Sequence, residues 1–184
     1  MDQFGIIVSL LNQVAEGKID AFSRFYDIYY PKAYKFSRYF IKSEEGCQEI
    51  VSDLFYTLWK RRKTLADIEN IDSYIYTSIK NLSFKYKKEI SHNLSDPLEV
   101  LPGEFFIETD TPENVYLNNE LVAILEKTIN ELPDRCKLIF LMAKEQGLKH
   151  KEIAEILSIS EHTVHAQMTI ASKKISTILK DYNL

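Results

Sequence analysis

Glycine is scarce in this 184-residue chain, with five residues at scattered positions. That excludes the glycine-rich loops that cradle phosphates or dinucleotides. Cysteine is scarcer still: Cys47 and Cys136 lie far apart and have no metal-ligand spacing, so buried thiols in a reducing compartment are expected, not a disulfide framework or a zinc site. No run of eighteen apolar residues occurs, which predicts no membrane insertion. The N-terminal stretch MDQFGIIVSLLNQVAEG lacks the basic leader of a signal peptide, so a cytoplasmic location is expected. The four histidines, His92, His150, His162 and His165, include no HExxH. His162 and His165 stand three apart with no third ligand in sight, so no metal site is expected. With no convergent set of reactive groups, no catalytic residue, cofactor or enzymatic activity is expected.

Cations are missing from one segment altogether. Residues 89–126 carry nine acidic side chains and no Lys or Arg, whereas residues 1–88 hold 14 cations against 11 acids and residues 127–184 hold nine against seven. The net charge of −4 therefore hides two mildly basic units joined by an acidic segment. Pro97, Pro102-Gly103 and Pro112 punctuate that segment, and no helical period persists from Ser91 to Thr111, as expected of a linker.

The rest of the chain is rich in apolar residues at helical spacing. The predicted fold is all-α: two small helical domains on a flexible acidic linker, with bounds 1–90, 91–111 and 112–184. The first helix is expected over about Phe4–Glu16, stopping at Gly17. Asp20 is the expected cap of the second, with Phe22, Phe25, Tyr26 and Tyr29 as its apolar stripe and Pro31 as a kink or a new start. Ser43-Glu44-Glu45 opens a third helix that buries Ile50, Val51, Leu54, Phe55, Leu58 and Trp59. Asp72 is the expected cap of a fourth, in which Tyr74, Tyr76, Phe84 and Tyr86 interleave with Lys80, Lys85, Lys87 and Lys88. Such interleaving suits stacking on unpaired bases while cations hold their phosphates. It equally suits a packed helix with a solvated basic face, and spacing alone leaves both open.

Beyond the linker a helix is expected from Thr111-Pro112-Glu113 to about Asn130. Leu132-Pro133-Asp134 then starts another, with Leu138, Ile139, Leu141 and Met142 inward and Gly147 at its end. A short helix bearing Ile153, Ala154, Ile156 and Leu157 leads into the turn Ser158-Ile159-Ser160. Ser160 suits the N-cap of a last helix that turns Val164, Met168, Ala171 and Ile175 inward. This is the layout of a helix-turn-helix, whose second helix enters the DNA major groove. Thr163, His165 and Gln167 lie off the buried stripe and are expected to face that groove.

The stretch LPDRCKLIFLMAKEQGLKHKEIAEILSISEHTVHAQM resembles region 4 of bacterial RNA polymerase sigma factors of the sigma-70 class, in the extracytoplasmic-function group. DAFSRFYDIYYPKAYKFS, EGCQEIVSDLFYTLWKRR and IDSYIYTSIKNLSFKYKK resemble region 2, in order. The resemblance implies a protein that binds core RNA polymerase and directs initiation at promoters. It assigns the −35 element to the recognition helix, with Glu161, His162, Thr163, His165, Ala166, Gln167, Thr169 and Lys173. It assigns the −10 element to Tyr74, Lys80, Asn81, Lys85, Lys87 and Lys88, aided by the 61–72 loop. Polymerase docking falls to Glu49, Asp53, Tyr56 and Lys60, and the acidic linker would thread a channel built for nucleic acid. An anti-sigma factor is a further partner that the group admits. Ser158 stands where the family usually has a turn glycine, and no Lys or Arg precedes Lys173 in the recognition helix. The alternative is a LuxR-type helix-turn-helix regulator, which KEIAEILSISEHTVHAQM also resembles.

Overall fold

A computed structural model describes residues 3–90 and 115–181. The chain divides between Glu99 and Val100 into two compact units, each described on its own. Every regular element among the described residues is a helix.

The first unit comprises α1 (Gln3–Ala15), α2 (Ile19–Ser37), α3 (Glu44–Lys60), a 3₁₀ turn (Arg62–Asp67) and α4 (Ile71–Ile90). Gly17 ends α1 at φ 85°, a backbone region that favours glycine. Helices α2, α3 and α4 pack on one another, and α1 closes the bundle against α2 and the 3₁₀ turn. Phe25, Phe36, Phe40, Leu54, Leu58, Ile75 and Ile79 are fully buried. The aromatic residues interlock edge to face: Phe36 meets Tyr76 at 4.7 Å between ring centroids, and Phe40 meets Phe84 at 5.6 Å. Ser43 caps α3, its Oγ accepting from the Gly46 N–H at 3.2 Å. At the other end the Arg62 guanidinium lies 4.7 Å over the Trp59 ring, and Nη1 donates to the Trp59 carbonyl.

Three local expectations are corrected here. Lys18, not Asp20, precedes α2, and Asp20 lies in its first turn, where its charge suits the helix dipole. Of the two readings of Pro31, a new helix start is excluded: it lies inside a continuous element. Both Pro31 and Asp27, whose carbonyl loses its partner, are exposed, so water can satisfy that carbonyl. Asn70 replaces Asp72 as the cap of α4, with Oδ1 accepting from the Ser73 N–H at 2.9 Å. Asp72 is engaged sideways instead, 4.0 Å from the Lys32 ammonium and beside Tyr29. Burial, then the Asp72 charge, pushes the Tyr29 phenol far above its ordinary range.

The second unit comprises α5 (Val115–Asn130), α6 (Asp134–Lys144), α7 (His150–Leu157) and α8 (Glu161–Asp181). Pro133 takes the extended position just before α6 and not its first turn. Gly147 follows α6 at φ 67°, as its sequence position led one to expect. Helix α8 packs against α5, α6 and α7; its Val164 and Ala171 are fully buried, as are Ile153 and Ile156 of α7. Cys136 of α6 reaches α8, its Sγ donating to the Gln167 carbonyl at 3.3 Å. Lys174 ties α8 to the end of α5, donating to the Glu131 carbonyl at 2.8 Å. Lys137, which no helical pattern marks out, is buried and donates to Asn130 Oδ1. The expected start of α5 at 111–113 and the linker 91–111 lie outside the described residues.

Candidate nucleic-acid and polymerase interfaces

The turn between α7 and α8 is built by three residues. Ser158 adopts φ 56°, ψ 47°, and the Ile159 N–H returns to the Ala154 carbonyl at 2.9 Å, which stops α7 sharply. Ser160 then caps α8: its Oγ accepts from the Thr163 N–H at 3.0 Å and shares a hydrogen bond with the Thr163 hydroxyl at 2.8 Å. Val164, fully buried four residues after the cap, fixes which side of α8 faces inward.

That register sorts the eight α8 candidates. His162, Ala166, Thr169 and Lys173 are exposed and recur every third or fourth residue, so they share the outward stripe. Glu161 and His165 are also exposed, on the flank nearer α7, where the His165 ring meets the His150 ring edge-on at 6.0 Å between centroids. Thr163 and Gln167 lie on the opposite flank and are half-buried. The Thr163 hydroxyl is engaged by the cap, and the Gln167 backbone carbonyl accepts from Cys136. The ring partner of His165 is His150, which sequence spacing could not bring in because it belongs to another helix. Among the described residues no group of three or more His, Cys, Asp or Glu side chains is arranged to hold a metal.

Helix α4 divides its candidates in the same way. Asn81, Lys85 and Lys88 are exposed, Tyr74 is half-buried, and helical spacing puts all four on one stripe. Lys80 and Lys87 lie seven apart on a second, half-buried stripe. Burial lowers the Lys80 ammonium below its ordinary range. The aromatics are mostly packing groups: Tyr76 is core, Phe84 rests on Phe40, and Tyr86 crowds Gly46. Only Tyr74 of that set stands with the outward cations.

On α3 the four docking candidates come together. Glu49, Asp53, Tyr56 and Lys60 are all exposed at spacings of three and four, and Tyr56 is 67% exposed. Beside them a feature missed by sequence reading appears. Tyr26, Tyr30 and Tyr34 stack along α2 at 5.0 and 6.1 Å, with Phe55 of α3 at 4.6 Å from Tyr26. Their spacing of four residues was a signal; the expectation assigned Tyr26 to the core, but it is exposed.

Fold and surface define a helical protein whose second unit carries a helix-turn-helix of the DNA-binding kind. Comparison with known proteins adds similarities of sequence and fold. Residues 123–175 match the family described as "Sigma-70, region 4". The chain is 34% identical over 73 residues to an ECF RNA polymerase sigma-E factor of Haemophilus influenzae, covering 40% of this chain and 39% of that protein's length. It is 26% identical to the RNA polymerase sigma factor SigZ of Bacillus subtilis, over 77% of this chain and 79% of that one. It is 22% identical to the ECF RNA polymerase sigma factor SigW of the same organism, over 96% and 98%. Its fold is similar to that in the structure titled "Structure of CnrH in complex with the cytosolic domain of CnrY", with a TM-score of 0.58, 17% identity and coverage of 95% and 97%. The matches make the chain similar to RNA polymerase sigma factors, and its residues 123–175 are of the sigma-70 region 4 kind.

Proposed function

We propose that this protein is the sigma subunit that carries core RNA polymerase to a set of promoters, acting in the cytoplasm. In this reading residues 1–90 bind the polymerase and the −10 element, residues 91–111 are an acidic connector, and residues 112–184 bind the −35 element. The observation that carries it is the pairing of a helix-turn-helix in the second unit with an exposed, mixed-charge stripe on α3 in the first. No strand occurs among residues 3–90, which disfavours the receiver domain of a LuxR-type regulator.

Each surface has a role. Glu49, Asp53, Tyr56 and Lys60 dock the polymerase. Tyr74, Asn81, Lys85 and Lys88, flanked by Lys80 and Lys87, hold the opened strand, Tyr74 supplying the stacking face and the lysines the phosphate contacts. His162, His165, Ala166, Thr169 and Lys173 read or flank the −35 duplex, with Glu161 at the helix start, Thr163 closing the turn and Gln167 on the half-buried flank. One cation on that surface gives little phosphate attraction, so affinity for promoters comes through the polymerase. An anti-sigma factor covering the α3 stripe would hold the protein inactive.

Charge reversal at Asp53 tests the docking role. Asp53 is exposed and lies off the buried face of α3, so Asp53→Lys should fold normally. Co-elution with core polymerase should weaken by about tenfold or more, as for loss of a charge pair at an interface. Unchanged co-elution would place the docking surface elsewhere.

A further inference from the structure

We infer that His150, on α7, is a positioning residue for base recognition, acting by holding the imidazole of His165 in one orientation at the DNA-facing flank of α8. The inference rests on the proposed role of α8 in reading duplex DNA.

Three observations lead there. First, the recognition helix has few side chains that could read a base edge. Between Glu161 and Lys173 it has no Lys or Arg, and Thr163 and Gln167 are half-buried. His162 and His165 are therefore the exposed side chains of that span best able to donate to a base acceptor, such as a purine N7. Second, the two are not equally held. The His165 ring meets the His150 ring at 6.0 Å between centroids and 63° between planes, an edge-to-face contact that restricts rotation about the side-chain bonds. Third, His150 is itself well placed to act as a stop. It opens α7, where the Glu152 carboxylate accepts from the Lys149 N–H at 2.8 Å and fixes the first turn. His150 is half-buried, whereas His165 is exposed, so the inner ring is the support and the outer ring is free to reach a ligand.

A pre-oriented ring does not lose its rotational freedom on binding, and that saving corresponds to about three- to tenfold in affinity for the matched base. It acts through one side chain, so it changes preference at the position that His165 reads and leaves backbone contacts alone.

The test uses the full chain assembled with core polymerase and a duplex library randomised over the −35 segment. His165→Ala should flatten base preference at one position. His150→Ala should weaken preference at that same position by about three- to tenfold. The double variant should match His165→Ala alone, because the support has nothing left to orient. His150→Phe keeps the ring edge without the nitrogens and should retain most of the preference, which also guards against a folding defect in His150→Ala. If His165→Ala flattens the profile while His150→Ala leaves it intact, or lowers binding to all sequences equally, His150 does not position the ring and only this inference falls. If His165→Ala leaves the profile unchanged, both this inference and the assignment of His165 to base reading fall.

Discussion

Replacing Ser158 with glycine removes a Cβ from the left-handed region of backbone space, where Ser158 sits at φ 56°, ψ 47°. Among the described residues it is the one non-glycine residue with positive φ. That conformation costs an L-residue about 1–2 kcal/mol, because Cβ crowds the following carbonyl oxygen. Glycine avoids the cost but loses about 0.5–1 kcal/mol through the greater freedom of its unfolded chain. The difference favours Ser158→Gly by about 0.5–1 kcal/mol. In a unit of this size such a gain raises the melting temperature by about 2–8 °C. The chain supplies its own control, since Trp59, the one tryptophan, lies in the first unit. Tryptophan fluorescence should therefore melt as in the wild type, while helical circular dichroism should show a later transition for the second unit. Ser158→Ala keeps the Cβ and should change little. A melting temperature that does not rise in Ser158→Gly, or that rises equally in Ser158→Ala, would refute the backbone explanation.

Two further outcomes follow from packing. A Cβ at Gly46 would stand 2.6 Å from Ser43 Oγ and 2.7 Å from Tyr86 Oη, so Gly46→Ala must displace either the α3 cap or the end of α4. It should destabilise the first unit by about 1–3 kcal/mol in urea unfolding followed at Trp59; an unchanged midpoint would mean that Tyr86 moves aside without loss. Cys47 and Cys136 are both buried, and burial pushes both thiols up, favouring the protonated, unreactive form at neutral pH. Both should resist alkylation in the native protein and react promptly in denaturant. Fast labelling under native conditions would show that one of the units opens readily.

The helix-turn-helix was legible because its signals are local. Gly147 at a helix end, Ser160 as a cap, and Val164 with Ala171 inward all follow from neighbours within a turn or two. The cap of α3 at Ser43 was legible for the same reason. What escaped depends on competition or on distant partners. Asn70 and Asp72 are both good caps, and Asp72 is drawn off by Lys32 and Tyr29 on another helix. Pro31 is a helix breaker by propensity, yet the packing of α2 on both sides of it prevails. The sorting of the −10 and −35 candidates into outward and half-buried sets needed the inward register of α4 and α8. Lys137, a buried cation, and the His150–His165 contact carry no periodic signal at all.

In the proposed role, this chain confers start-site choice on a polymerase that lacks it. Core RNA polymerase can transcribe fragmented genomic DNA of the source organism with and without the protein, and the 5′ ends of the RNAs can be mapped. The account predicts discrete new start sites that share two upstream sequence elements at fixed spacing, and loss of dependence on the farther element when residues 115–181 are deleted. Start sites identical to those of core polymerase alone would contradict it.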